Sequence, residues 1–385
     1  MVAGVSLRTK GASCPGGAGA RAGRRVLPYS GVRLSREPLP SARLRSRDAR
    51  GPGTRGLDAD VRQRRGEGAS AEARPALEHT PDSRRPAPAG RPQVMPPIPL
   101  ERTVFGARFQ NPILLASGTA GYGRELAGVM DLDRLGGLVT KAVSLEPRAG
   151  NTPPRVAEFR GGMLNAIGLA NPGLAQVRAV ELPWILRRLQ SARVLVNIVG
   201  FTIEEYASVI EGLDDLDGIT AYELNLSCPN TSAGGLEFGA DAASITAIVS
   251  RCRRVTKRPL VAKLSPVLPD MAAAALAARD AGADGVSVVN TLPGMALNPG
   301  GTPRLGNGNG GVSGPALLPA GVLAVRRVRE RLPDLPIIGL GGVRSAEDAR
   351  QHLAVGATLV GIGTGGLADP RLPGRIIREL ERHGG

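Results

Sequence analysis

From residue 111 onward the chain alternates short, nearly continuous apolar runs with longer amphipathic stretches. The runs are ILLASG (113–118), GLVTKAV (137–143), VLVNIVG (194–200), AYELNLS (221–227), LVAKLS (260–265), GVSVVN (285–290), IIGLGG (337–342) and LVGIGT (359–364). A run with no polar face suits a parallel strand covered on both sides. Between them stand helical candidates such as MAAAALAARDAG (271–282), PAGVLAVRRVRERL (319–332) and AEDARQHLAVG (346–356). Two of these close with glycine, the preferred residue just past a helix end. Eight strands alternating with helices over about 270 residues predict an α/β fold of the TIM (β/α)8 type. A doubly wound open sheet is the alternative, but no GxGxxG opens a helix after the first run.

Polar residues gather at the C-terminal ends of these runs: Ser117, Lys141, Asn197, Asn225, Cys228, Lys263, Asn290, Gly341 with Gly342, and Gly363 with Thr364. A single amide or amine at a strand end is ordinarily a cap or a solvated side chain. Repeated on strand after strand, the pattern marks the face where barrels of this kind build active sites. The sequence predicts an enzyme.

Composition adjusts this picture at one end only. The net charge of +15 is uneven: residues 1–94 hold 19 Arg/Lys against 8 Asp/Glu, and residues 95–385 hold 30 against 26. Residues 1–94 also carry 13 Gly, 10 Pro and one aromatic, Tyr29. Such a segment buries too little apolar area to offset its ordering entropy, so it is expected to be a disordered extension before a barrel spanning 95–385. Three readings of it compete: an organelle transit peptide, an RNA- or membrane-binding tail, or a non-native extension translated from a start upstream of Met95. The acidic residues and Pro/Gly runs weaken the first, no Arg/Lys-rich amphipathic helix supports a membrane anchor, and the low-complexity character favours the last. No run approaches the roughly 18–20 apolar residues of a membrane span. Three cysteines without paired spacing exclude a disulfide framework and a zinc ribbon, and suit a reducing compartment. Three scattered histidines predict no metal site, and ten aromatics are too few for a platform that stacks single-stranded nucleic acid.

The strand ends also suggest a chemistry. GLGG and GIGT close the last two runs, where loops of such barrels bind phosphate, so a phosphate-bearing cofactor is expected. Lys141 and Lys263 would set positive charge beside it. Asn165, Asn225, Asn230 and Asn290 offer donor–acceptor pairs suited to a small planar amide or imide. No Asp/Glu pair occupies the strand ends, which excludes glycoside hydrolysis. Cys228, in NLSCPN, could be a small buried hydrophobe. Its place beside two asparagines, with Gly234 and Gly235 as hinges, points instead to a general base. Cys252 reads as core, and Cys14 carries no role.

These motifs carry a family resemblance. NPILLASGTAGYGRE, LVTKAVSLEPRAGNTPPRVAE, GGMLNAIGLANPG, ELNLSCPN, VAKLSP, VVNTLPGM, GGVSGPA, IIGLGGV and VGIGT resemble dihydroorotate dehydrogenase of class 1, the 1B subtype most closely, from about residue 100 to 383. The resemblance implies a cytoplasmic barrel with one FMN per chain that oxidises dihydroorotate to orotate in pyrimidine synthesis. It implies FMN contacts at Ser117, Lys141, Ala142, Asn197, Asn225, Lys263, Val289, Gly314, Gly341, Gly342, Gly363 and Thr364. Substrate contacts are implied at Lys141, Asn165, Ala166, Ile167, Gly168, Leu169, Asn225, Asn230, Asn290 and Thr291, with Cys228 as base. A 1B enzyme implies a partner subunit carrying FAD and an iron–sulfur cluster that reduces NAD, and a homodimer within a heterotetramer. This chain has no cluster-ligand spacing of its own. The alternatives are a class 1A enzyme that uses fumarate, an FMN-dependent tRNA dihydrouridine synthase, and a non-enzymatic RNA-associated protein acting through 1–94. The uninterrupted NAIGL and NLSCPN motifs weigh against the dihydrouridine synthase, and a flavin spectrum separates the enzyme from the RNA-associated protein.

Overall fold

In the computed structural model, residues 100–226 and 241–384 are described, with the backbone of two short paired segments, Pro229–Asn230 and Leu236–Glu237. The extension at 1–94 lies outside them.

Each apolar run contains a strand: β1 (Ile113–Leu115), β2 (Gly137–Val139), β3 (Arg193–Ile198), β4 (Ile219–Asn225), β5 (Leu260–Lys263), β6 (Gly285–Val288), β7 (Ile337–Leu340) and β8 (Leu359–Ile362). They pair in chain order and all in parallel, and β8 returns to β1, closing the barrel. The open-sheet alternative is thereby excluded. Helices follow the strands from β2 onward: α1 (Leu182–Arg188), α2 (Ile203–Glu211), α3 (Ala242–Arg253), α4 (Met271–Asp280), α5 (Leu318–Arg331), α6 (Ala346–Ala354), α7 (Thr364–Ala368) and α8 (Leu372–Gly384). Four begin on a side chain that accepts from a backbone N–H of the first turn: Thr202, Asp241, Asp270 and Ser345. Such caps satisfy donors that the first turn otherwise leaves unpaired. Gly282 and Gly356 follow α4 and α6 with φ of +107° and +106°, the left-handed turn predicted there.

Strand alternation sorts the apolar residues into two layers. Ile113, Leu138, Val196, Leu224, Ala262, Val286, Ile337 and Val360 pack outward against the helices in one large core. Leu114, Val139, Leu195, Ala221, Val261, Ile338 and Leu359 fill the barrel in a second core. Phe105 and Phe109 join that inner core. They belong to an antiparallel hairpin, Arg102–Val104 with Ala107–Phe109, turned through Phe105 and Gly106 at positive φ. Arg193, at the start of β3, donates through Nε to the Arg108 carbonyl at 2.7 Å. The hairpin therefore closes the end of the barrel where the strands begin.

A second element interrupts the repeat. Val156–Phe159 and Gly162–Asn165, after β2, join Leu292–Gly294 and Gly310–Ser313, after β6, in a four-stranded antiparallel sheet. Among the described residues, no helix is long and apolar enough to cross a membrane.

Candidate active site

Moving along β3 to β6 by one inward position takes the barrel interior from apolar to polar. Leu195 is followed by Asn197, Ala221 by Glu223, Val261 by Lys263 and Gly285 by Ser287. Asn197, Glu223 and Ser287 are fully buried, and Lys263 is nearly so. Asn197 donates through Nδ2 to Glu223 Oε1 at 2.8 Å, and Ser287 donates through Oγ to Glu223 Oε2 at 2.7 Å. Lys263 Nζ stands 3.7 Å from Glu223 Oε1, an ion pair too long to be a hydrogen bond. The other end of the Asn197 amide, Oδ1, is buried with no hydrogen-bond partner. An orphaned buried acceptor is costly, and it is a ready place for a ligand's N–H group.

The ends of the neighbouring strands converge above this layer. Ser117 Oγ donates to the Thr140 carbonyl at 2.9 Å, and Thr140 Oγ1 accepts from the Asn197 backbone N–H at 3.2 Å, linking the ends of β1, β2 and β3. Lys141 and Ala142 follow directly, Lys141 half-buried and Ala142 buried. Asn225 and Asn290 meet across β5, with Asn290 Nδ2 3.4 Å from Asn225 Oδ1, while Tyr206 of α2 donates to the Asn225 carbonyl at 2.7 Å. Val289 is buried, its backbone N–H bonded to the Leu340 carbonyl.

Glycines form the far side. Gly341 and Gly342, after β7, have φ of +113° and +75°, and Gly314 has φ of +112°. A Cβ at Gly342 would collide with the backbone and side chain of Leu318, the first residue of α5. Only glycine lets that loop lie on the helix start, where backbone N–H groups favour an anion. Thr364, beside Gly363 at the end of β8, donates through Oγ1 to Ser313 Oγ at 2.7 Å, drawing the loops after β6 and β8 together.

The antiparallel sheet brings in the remaining candidates. Asn165 Nδ2 donates to the Gly311 carbonyl at 3.3 Å. A Cβ on Gly311 would strike the Thr291 side chain, so Asn165 and Thr291 meet around that glycine. The stretch Asn165, Ala166, Ile167, Gly168 and Leu169 is held by Asn151, which donates through its backbone N–H to Ile167 and through Nδ2 to Ala166. Gly168 and Leu169 both have positive φ, +69° and +58°. For leucine that conformation costs on the order of 1–3 kcal/mol and tends to occur where a loop must hold a ligand.

Cys228 and the proposed hinges Gly234 and Gly235 lie outside the described residues, and of Asn230 only its strand pairing with Leu236 is described. Cys252 is buried in the outer core, where burial pushes its thiol pKa up to about 12, in keeping with an inert residue. Among the described residues, no group of three or more His, Cys, Asp or Glu is placed to hold a metal.

Sequence reasoning missed Glu223, Ser287, Asn151 and His352. Glu223 had a signal: an ionisable residue within the apolar run AYELNLS. His352, on α6, had none, because its partner is the Gly341 carbonyl on another element.

The profile of the dihydroorotate dehydrogenase family matches residues 99–383, the whole of the barrel. The chain belongs to that family. Members similar to it include proteins named dihydroorotate dehydrogenase B (NAD(+)), catalytic subunit. The one from Pelobacter propionicus is 44% identical over 278 residues, covering 72% of this chain and 90% of its own. The one from Desulforudis audaxviator is 44% identical over 281 residues, 73% of this chain and 91% of its own. The one from Cutibacterium acnes is 43% identical over 277 residues, 72% and 90%. The chain is therefore a dihydroorotate dehydrogenase.

Proposed function

We propose that the chain is the catalytic subunit of an NAD-linked dihydroorotate dehydrogenase, oxidising dihydroorotate to orotate on a bound FMN in the cytoplasm as a step of pyrimidine synthesis. The observation that carries this reading, beside family membership, is the buried acceptor Asn197 Oδ1 left unpaired next to a buried lysine. A flavin ring has an N–H for that acceptor and an electron-rich edge for Lys263. Its phosphate suits the glycine-only backbone at Gly314, Gly341 and Gly342, with Gly363 and Thr364 beside it. Ser117, Lys141, Ala142, Asn225 and Val289 complete the proposed cofactor cradle. The residues present fit the group.

When bound, FMN supplies a two-electron hydride acceptor. The chain supplies the rest. Lys141, Asn225, Asn290, Thr291, Asn230 and the stretch 165–169 would hold the dihydroorotate ring and orient its carbon 6 toward the flavin site. Cys228 takes the proton from carbon 5. A thiol with a pKa of about 8.5 is mostly protonated at neutral pH yet is a usable base. A neutral amide set around the substrate recognises its imide edges without competing for that proton.

Electrons then pass to NAD through a separate subunit carrying FAD and an iron–sulfur cluster, in an assembly built on a homodimer of this chain. The relatives' names, as catalytic subunits of NAD-linked enzymes, support the need for such a partner. Purified protein is expected to be yellow and to be bleached by dihydroorotate. NAD is expected to reoxidise it poorly until the partner subunit is added. A colourless protein that FMN cannot reconstitute refutes the cofactor, and rapid turnover with fumarate alone moves the chain to the fumarate-linked class. Turnover of tRNA in place of dihydroorotate would assign it to the dihydrouridine synthases.

A further inference from the structure

An ionised carboxylate inside an apolar barrel is expensive, and a hydrophobic residue of similar volume would ordinarily serve stability as well or better. Glu223 is 1% exposed and sits one inward step above Ala221 and the apolar layer that fills the barrel. Its two oxygens are used on different strands. Oε1 accepts from Asn197 on β3 and faces the Lys263 ammonium of β5, while Oε2 accepts from Ser287 on β6. The strand register holds this arrangement, since Asn197 pairs directly with Glu223 and Lys263 with Ser287.

The chemistry of these contacts has a direction. A carboxylate only accepts hydrogen bonds, so it fixes which end of the Asn197 amide faces it. The NH2 group turns toward Glu223, and Oδ1 turns away as an acceptor with no partner in the protein. The same carboxylate neutralises Lys263 at 3.7 Å without consuming its hydrogen-bond donors. One buried charge thereby presets two groups of opposite character, a bare acceptor and an available donor cation.

We propose that Glu223 is a positioning residue for the cofactor: it orients Asn197 toward a ring N–H and tempers the charge of Lys263, and so sets both the affinity for FMN and the flavin's reduction potential. This rests on the FMN reading above. Ser287 is the outer tether that keeps the carboxylate in place.

The test uses full-length protein loaded with FMN, with the dissociation constant of FMN and the flavin midpoint potential as readouts. Glu223→Gln keeps the shape but removes the charge, and its amide can present either a donor or an acceptor to Asn197. The dissociation constant is expected to rise by about 10- to 100-fold, the span seen when an outer partner that orients a metal ligand is removed. The midpoint potential is expected to move positive, because the loss of a nearby negative charge favours electron-rich reduced flavin. Glu223→Asp, which keeps the charge, is expected to hold the potential near that of the wild type. A purely structural role for Glu223 would lower the melting temperature and leave potential and affinity unchanged, and that result overturns the proposal. Should Glu223→Gln not fold, Ser287→Ala decides: a several-fold weaker FMN affinity at an unchanged melting temperature supports the proposal, and an unchanged affinity overturns it. A wild-type chain that takes up no FMN overturns both this proposal and the reading beneath it, whereas wild-type binding with unaltered variants overturns this one alone.

Discussion

His352 Nε2 lies 3.1 Å from the carbonyl oxygen of Gly341, so a side chain of α6 braces the glycine loop at the end of β7. The ring is fully buried, and Nδ1 has no partner. A neutral imidazole with its hydrogen on Nε2 satisfies this arrangement. Burial holds the pKa below the usual 6.5, opposed in part by the bond to Gly341 and by the Asp348 carboxylate.

The sign of the pH dependence follows. The unfolded chain binds the His352 proton more readily than the folded one, so this contribution to stability is complete above about pH 6.5 and is lost as pH falls toward the folded value. His352→Gln keeps a donor for Gly341 but cannot titrate. Urea unfolding at pH 7 and at pH 5 is expected to show a smaller acid-induced loss of stability in the variant than in the wild type. Equal losses would mean that another group governs the acid limb.

Gly342→Ala tests the loop itself. At φ of +75°, with Leu318 where its Cβ would go, alanine is both strained and obstructed. The stability loss is expected to exceed about 1 kcal/mol, and FMN retention through gel filtration should fall. Full retention at wild-type stability would place the phosphate elsewhere.

Cys228→Ser would substitute a far weaker base. Flavin reduction by dihydroorotate at neutral pH is expected to slow by roughly 10²–10⁴-fold, the span of general-base contributions. The residual rate should climb at high pH, and FMN should stay bound because its proposed contacts lie on other residues. Stopped-flow reduction near the wild-type rate at pH 7 would show that the proton goes to another group.

A chain beginning at Met95 is expected to keep its flavin, its melting temperature and its activity. The family match begins at residue 99 and the first barrel strand at Ile113. A drop in melting temperature on removing 1–94 would make that segment part of the folded unit.

Much of this was legible because the barrel is written in local pattern. The apolar run at 260–265 holds strand Leu260–Lys263, and the run at 359–364 holds Leu359–Ile362. A parallel strand buried on both faces needs only its own residues to announce it. The four-stranded antiparallel sheet was not legible. Val156–Phe159 is half-exposed and Leu292–Gly294 mostly exposed, so neither forms an apolar run, and their common sheet joins segments far apart in the chain. The site divided in the same way. Asn197 and Lys263 stood out as polar ends of apolar strands, but the tie between Asn197 and Glu223 depends on strand register, which one sequence does not display.

The hairpin that carries Phe105 and Phe109 seals the barrel floor, where the strands begin. With substrate bound at the polar face as proposed, orotate would depart by the same rim through which dihydroorotate arrived, and one molecule lodged there would shut out the other. Traffic would then run on a single lane: accumulating orotate would delay the next dihydroorotate by occupancy alone, a brake that needs no second binding site.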